Sequence, residues 1–76
     1  MVHELKILPE YFEAVVTGRK NFELRKDDRR YFVNDILLLR EWTPENGYTG
    51  RTKSRFVEYI LRDCPGLESG YCILGL

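Results

Sequence analysis

Between residues 9 and 25 the apolar pattern changes period, and that change limits the folds open to the chain. Phe12, Val15 and Val16 fall at i, i+3 and i+4, one face of a helix to be buried. Pro9 suits the first helical turn, where its missing N–H removes nothing, and Glu10 and Glu13 complement the helix dipole there. Gly18 is placed to end the helix in a left-handed conformation, about three turns at most from its start. Immediately beyond, Phe22 and Leu24 alternate with Asn21, Glu23 and Arg25, the period of a strand. This parity predicts Phe22 and Leu24 facing the core and Asn21, Glu23 and Arg25 on an opposite, polar face. Lys20 has the wrong parity for that face and joins Glu23 and Arg25 only if it lies in the turn before the strand. With Lys20 in the turn, the stretch is one wall of a polar cleft.

The rest of the chain reads as strands. His3–Leu8 alternates, with Leu5 and Ile7 on one parity. Residues 26–30 form a polar connection, Tyr31–Val33 lead to an Asn34-Asp35 turn, and Ile36–Trp42 carries apolar residues of both parities. Thr43–Gly50 is a hairpin loop with Pro44 and Asn46-Gly47. Arg51–Arg62 reads as one long strand, basic at first and apolar later, broken by Asp63–Gly66; Tyr71–Leu76 is the last strand. The expectation is an α+β, mainly β fold: about five mostly antiparallel strands in a small, partly closed barrel, with one short helix after the first strand lying across an opening. Tyr31, Phe32 and Tyr59 are assigned to its core, and His3 to the surface or a strand end.

A chain of 76 residues, 43% hydrophobic and 32% charged, makes a single domain over 1–76 with one small core. The longest apolar run, Ile36–Leu39, falls far short of the ~20 residues of a membrane span. The first six residues lack a signal-peptide pattern, so a cytoplasmic protein without membrane partners is expected. Cys64, Cys72 and the lone His3 do not make up the ligand set of a zinc site, so no metal or cofactor is expected, and both thiols are expected free. Cys72, in an apolar strand, reads as a small core residue. The formal net charge is zero, yet Arg19, Lys20, Arg25, Lys26, Arg29 and Arg30 cluster in one stretch and Arg51, Lys53 and Arg55 in another. Such clusters are either solvated loop faces or a basic side able to attract a polyanion.

Gly18 to Arg25 spells G-x-K-x-x-E-x-R, which resembles the signature of ASCH domains, small β-barrel modules similar to PUA domains. The resemblance extends over His3–Lys6, Tyr31–Glu41 and Gly70–Leu76, and is closest to short ASCH-like proteins of bacteria and phages. That family pattern usually has Gly-Asp where this chain has Asn34-Asp35; asparagine is the commonest non-glycine residue at positive φ, so the same turn fits. The resemblance implies a cleft between helix and barrel lined by the signature residues, and a single-stranded RNA or nucleotide as the partner. Lys20 and Arg25 suit phosphate, Glu23 a base amino group, and Trp42, Tyr48 or Tyr71 a stacking surface. Arg51, Lys53 and Arg55 suit further phosphates.

Other readings stand beside this one. Lys20, Glu23 and Arg25 could be an ion network that only orients the helix–strand junction, and Trp42 a core aromatic. Some ASCH-like proteins resemble acetylcytidine amidohydrolases, whose nucleophilic threonine corresponds to Glu23 here; catalysis would then need water attack, with Glu23 as base and Lys20 stabilising an oxyanion. Glu58 and Glu68 are candidates for the downstream glutamate of those enzymes by order alone. A ribonuclease using the same trio, and an interaction module forming a homodimer through a strand edge, are the remaining alternatives.

Overall fold

The computed structural model describes residues 1–76. In chain order its elements are β1 (Val2–Ile7), α1 (Pro9–Val16), β2 (Phe22–Lys26), β3 (Ile36–Thr43), β4 (Gly47–Phe56), β5 (Tyr59–Leu61) and β6 (Tyr71–Gly75). They form two three-stranded sheets, ordered β1-β3-β4 and β2-β6-β5. β1 runs parallel to β3, and every other pair is antiparallel. The fold is α+β and mainly β, as expected, with the short helix directly after the first strand.

The core follows from alternation. His3, Leu5 and Ile7 of β1 and Leu37, Leu39 and Glu41 of β3 are buried on the inner face of the first sheet, and Cys72 and Leu74 on that of the second. Phe12 and Val15 close the space from the helix, whereas Val16 is largely exposed. Both cysteines are free, and burial in this apolar space pushes the Cys72 thiol up.

The run Arg51–Arg62 is two strands in different sheets, which makes six strands rather than five. Val57 donates to the Asp35 carbonyl at 2.8 Å and accepts from the Asn34 N–H at 2.8 Å, so it still belongs to the first sheet's surroundings. Glu58, one residue on, donates to Gly75 of β6 at 2.7 Å. The fully buried Val57 side chain plugs this corner between the sheets.

On the other side the sheets stay apart. No ladder joins β1 to β2. Two guanidinium groups span the gap: Arg25 Nη2 donates to the Lys6 carbonyl at 2.7 Å and Arg29 Nη1 to that of Glu4 at 3.0 Å. The strands therefore do not close into a barrel; they form two sheets sharing a corner at Val57 and open along the β1–β2 seam.

Three assignments are corrected here. Phe32 and Tyr59, expected in the core, are each 66% exposed, and only Tyr31 of the three aromatics is buried. Phe22 and Leu24 share a face as expected, but it is the outer one, and Glu23 lies inside at 3% exposure. His3 is buried rather than superficial, because a carboxylate 32 residues away receives it. Asp35 follows Asn34, whose φ of +76° makes the expected turn. The Asp35 carboxylate accepts from His3 Nε2 at 2.8 Å, the Phe32 N–H at 3.0 Å and the Met1 α-ammonium at 3.1 Å. Of these the His3 bond contributes most to holding its pKa at about 2. The His3 ring meets Tyr31 edge-on at 4.7 Å.

Candidate functional site

Gly18 sets up the site. With φ at +81° it ends the helix, and the Arg19 and Lys20 N–H groups then both return to the Ala14 carbonyl at 2.9 Å. This fixes Lys20 in the turn, before β2 begins, which is the condition for it to join Glu23 and Arg25. It does join them: the Lys20 ammonium donates to Glu23 Oε1 and, at 2.8 Å, to the Phe22 carbonyl. Arg25 Nε donates to Glu23 Oε2 at 2.9 Å. One carboxylate thus holds two cations, and its own side chain is only 4% exposed, against 16% for Lys20 and 24% for Arg25.

A cleft of about 660 Å³ lies along the open seam, between α1 and the end of β1 on one side and β2 on the other. Its apolar wall is Ile7, Leu8, Tyr11, Ala14, Phe22 and Leu24. Its charged lining is Lys6, Arg19, Lys20, Arg25 and Lys26 against the single acid Glu23. Lys6, Arg19 and Lys26 make no salt bridge; those of the cleft belong to the Lys20–Glu23–Arg25 trio. The cavity falls in the ordinary range for a small-molecule site, and its charge balance favours an anion.

The expected site residues therefore divide. Lys20, Glu23 and Arg25 share this cleft. Trp42, Tyr48 and Tyr71 do not line it. Trp42 is half-buried, with the Lys6 ammonium 4.7 Å from its ring centre, so it touches the site only through Lys6. Tyr48 packs under the Arg40 guanidinium at 3.8 Å, and Tyr71 stands opposite Lys26 on the second sheet. The aromatic surfaces inside the cleft are Tyr11 and Phe22, which parity and helix-face reasoning left out; the Lys20 ammonium lies 5.8 Å and 5.1 Å from their ring centres.

Among the β4 cations, Arg51 is engaged by acids: Glu13 at 3.3 Å and the buried Glu41 at 3.6 Å, with its guanidinium 4.8 Å over Phe12. Glu41 sits at a β-bulge in β3 and also accepts from the Thr49 hydroxyl at 2.7 Å. Arg55 meets only the neutral Asn21 amide, at 3.5 Å, and Lys53 has no acidic partner. No helix is long and apolar enough to cross a membrane.

A family described as a domain of unknown function, DUF3850, matches residues 2–76, and the chain belongs to that family. The chain is also similar to an uncharacterized 12.9 kDa protein in the GpA 3′ region of Escherichia phage P2, with 44% identity over 50 residues. That alignment takes in 66% of this chain and 45% of the phage protein, so the chain spans less than half of that relative.

Proposed function

We propose that this DUF3850 domain is an RNA- or nucleotide-binding module whose ligand occupies the β1–β2 cleft. The observation that carries this reading is the lining itself: five cations and one enclosed acid beside two aromatic rings. A nucleotide offers the complement, anionic phosphate joined to a flat apolar base. Glu23 acts here by aiming Lys20 and Arg25 at the cleft. With both oxygens engaged and little exposure, it is poorly placed to reach a water or a base edge, which favours binding over the hydrolase and ribonuclease alternatives. Lys20, Glu23 and Arg25 lining a cleft beside the helix, after the Gly18 turn, is what resemblance to ASCH domains implies, and two sheets sharing one corner fit a partly closed, PUA-like barrel. The setting consistent with such a ligand is the cytoplasm.

The test is a titration with fluorescent single-stranded RNA and DNA at low and moderate salt. Lys26→Ala and Arg19→Ala, at exposed and unpaired positions, would run beside Arg25→Ala. We expect affinity to fall as salt rises, with each exposed-lysine or exposed-arginine change weakening binding several-fold and lowering the salt slope by about 0.7. No binding at low salt would overturn the proposal, and acetylated cytidine would then be assayed for hydrolysis.

A further inference from the structure

The second sheet has an outer face that the cleft reaches only at its β2 edge, through Phe22 and Leu24. Register places Phe22, Gly75 and Tyr59 in one row across β2, β6 and β5, and Leu24, Ile73 and Leu61 in the next. Glu23, Leu74 and Ile60 form the row between them on the inner face, so the Phe22 and Leu24 rows point outward. A sheet with one solvated face ordinarily carries polar residues there. This one carries aromatic and aliphatic groups, with Phe22 49% and Tyr59 66% exposed.

The middle of the first row is Gly75, where a Cβ would make ordinary van der Waals contact with Tyr59. A Cβ on Gly75 would lie 3.4 Å from Tyr59 Cβ and 3.5 Å from the Tyr59 carbonyl oxygen. Because Gly75 carries no side chain, the row is notched between Phe22 and Tyr59. Their strands flank β6, about 9.6 Å apart at a spacing of roughly 4.8 Å per strand. A planar ring held between two others needs about 7–8 Å, twice the optimal carbon–carbon separation. Phe22 is also a wall of the cleft, so notch and cleft meet at one side chain.

We infer that the outer face of the β2–β6–β5 sheet is a base-stacking shelf, with the Phe22–Gly75–Tyr59 notch taking the base next to the nucleotide held in the cleft. The ligand class is then a single-stranded oligonucleotide rather than a mononucleotide. This inference rests on the cleft reading and deepens it. The cleft cations hold phosphate, and the shelf supplies the sequence-tolerant stacking that distinguishes a polymer from its monomer.

The experiment compares a nucleoside monophosphate with a tetranucleotide, and with a tetranucleotide carrying one abasic position, on the wild type, Tyr59→Ala and Gly75→Val. Tyr59→Ala removes an exposed ring, and Gly75→Val fills the notch from the opposite side. The wild type should bind the tetranucleotide at least tenfold more tightly than the monophosphate. Each variant should lose about tenfold for the tetranucleotide and nothing for the monophosphate, with an unchanged salt slope, and the abasic ligand should be indifferent to both variants. Tetranucleotide binding unchanged by both substitutions overturns the shelf and leaves the cleft standing. Absence of binding by either ligand overturns both. A wild-type dimer in sedimentation that Tyr59→Ala dissociates assigns the face to a second copy and overturns the shelf.

Discussion

Glu23 occupies an inward position in a short strand, where an aliphatic residue would bury more apolar surface. What it gains is two charge-assisted contacts, from Lys20 and Arg25, that tie the α1–β2 turn to the strand and Arg25 onward to the Lys6 carbonyl of β1. Removing one partner of such an enclosed group leaves the others facing a poorly hydrated space. Glu23→Ala should therefore lower the unfolding free energy by about 3 kcal/mol, and Glu23→Gln, which keeps an acceptor oxygen, by roughly half as much. Urea midpoints read both, and equal effects would show that shape rather than charge holds the turn. Asp35 gives the second prediction at this scale. Its pKa of about 2 in the folded chain lies below the ~3.9 of an unfolded aspartate. Folding thus disfavours its protonation: the associated stability is complete above about pH 4 and is lost as pH falls through about 2. Asp35→Asn should flatten the fall in urea midpoint between pH 4 and pH 2 relative to the wild type. An unchanged pH profile would assign the acid sensitivity to other carboxylates.

At the level of elements, legibility followed one-sidedness. β1 and α1 were readable because each buries one face against a solvated one, and the turn at Asn34 because few residues accept positive φ. β2 was readable in parity but not in side. Alternation says which residues share a face, while the side that is inner depends on where α1 and the Gly18 turn put the Lys20 ammonium, a tertiary fact. The split of Arg51–Arg62 was hidden for a related reason. Both strands stay extended through the corner, no glycine or proline marks it, and the hydrogen bonds that change partner at Val57 and Glu58 come from distant residues. His3 and Asp35 likewise find each other across 32 residues. The Lys20–Glu23–Arg25 trio could be read because its members lie within one turn and one strand. Tyr11 was missed although a signal existed: it stands at i relative to Ala14 at i+3, one helix face beside the buried one, and both line the cleft.

Across the whole molecule, zero net charge coexists with a strongly uneven field. Acids neutralise some cations and leave others bare, so counting charges along the sequence overstates one cluster and understates another. Arg51 is spent between Glu13 and Glu41, holding β4 against α1. Arg55 leans on Asn21, in the turn that leads from Gly18 to the cleft, and Lys53 beside it is unpaired. The basic side of the molecule is thus the cleft cations continued around the Asn21 turn by Arg55 and Lys53, with Arg51 excluded. For a single-stranded ligand long enough to follow that surface, each phosphate neutralised contributes about 0.7 to the slope of log affinity against log salt. The double variant Lys53→Ala/Arg55→Ala should reduce the slope by about 1.4 with an oligonucleotide of ten or so residues, and not at all with a mononucleotide. Arg51→Ala should leave the slope in place and instead lower stability, by about 0.5–1 kcal/mol for the exposed Glu13 pair and further for the buried Glu41, which would keep only the Thr49 hydroxyl. An equal loss of slope from Arg51→Ala would mean that the ligand displaces Glu13 and Glu41 from that arginine, and β4 as a whole would then be the phosphate track.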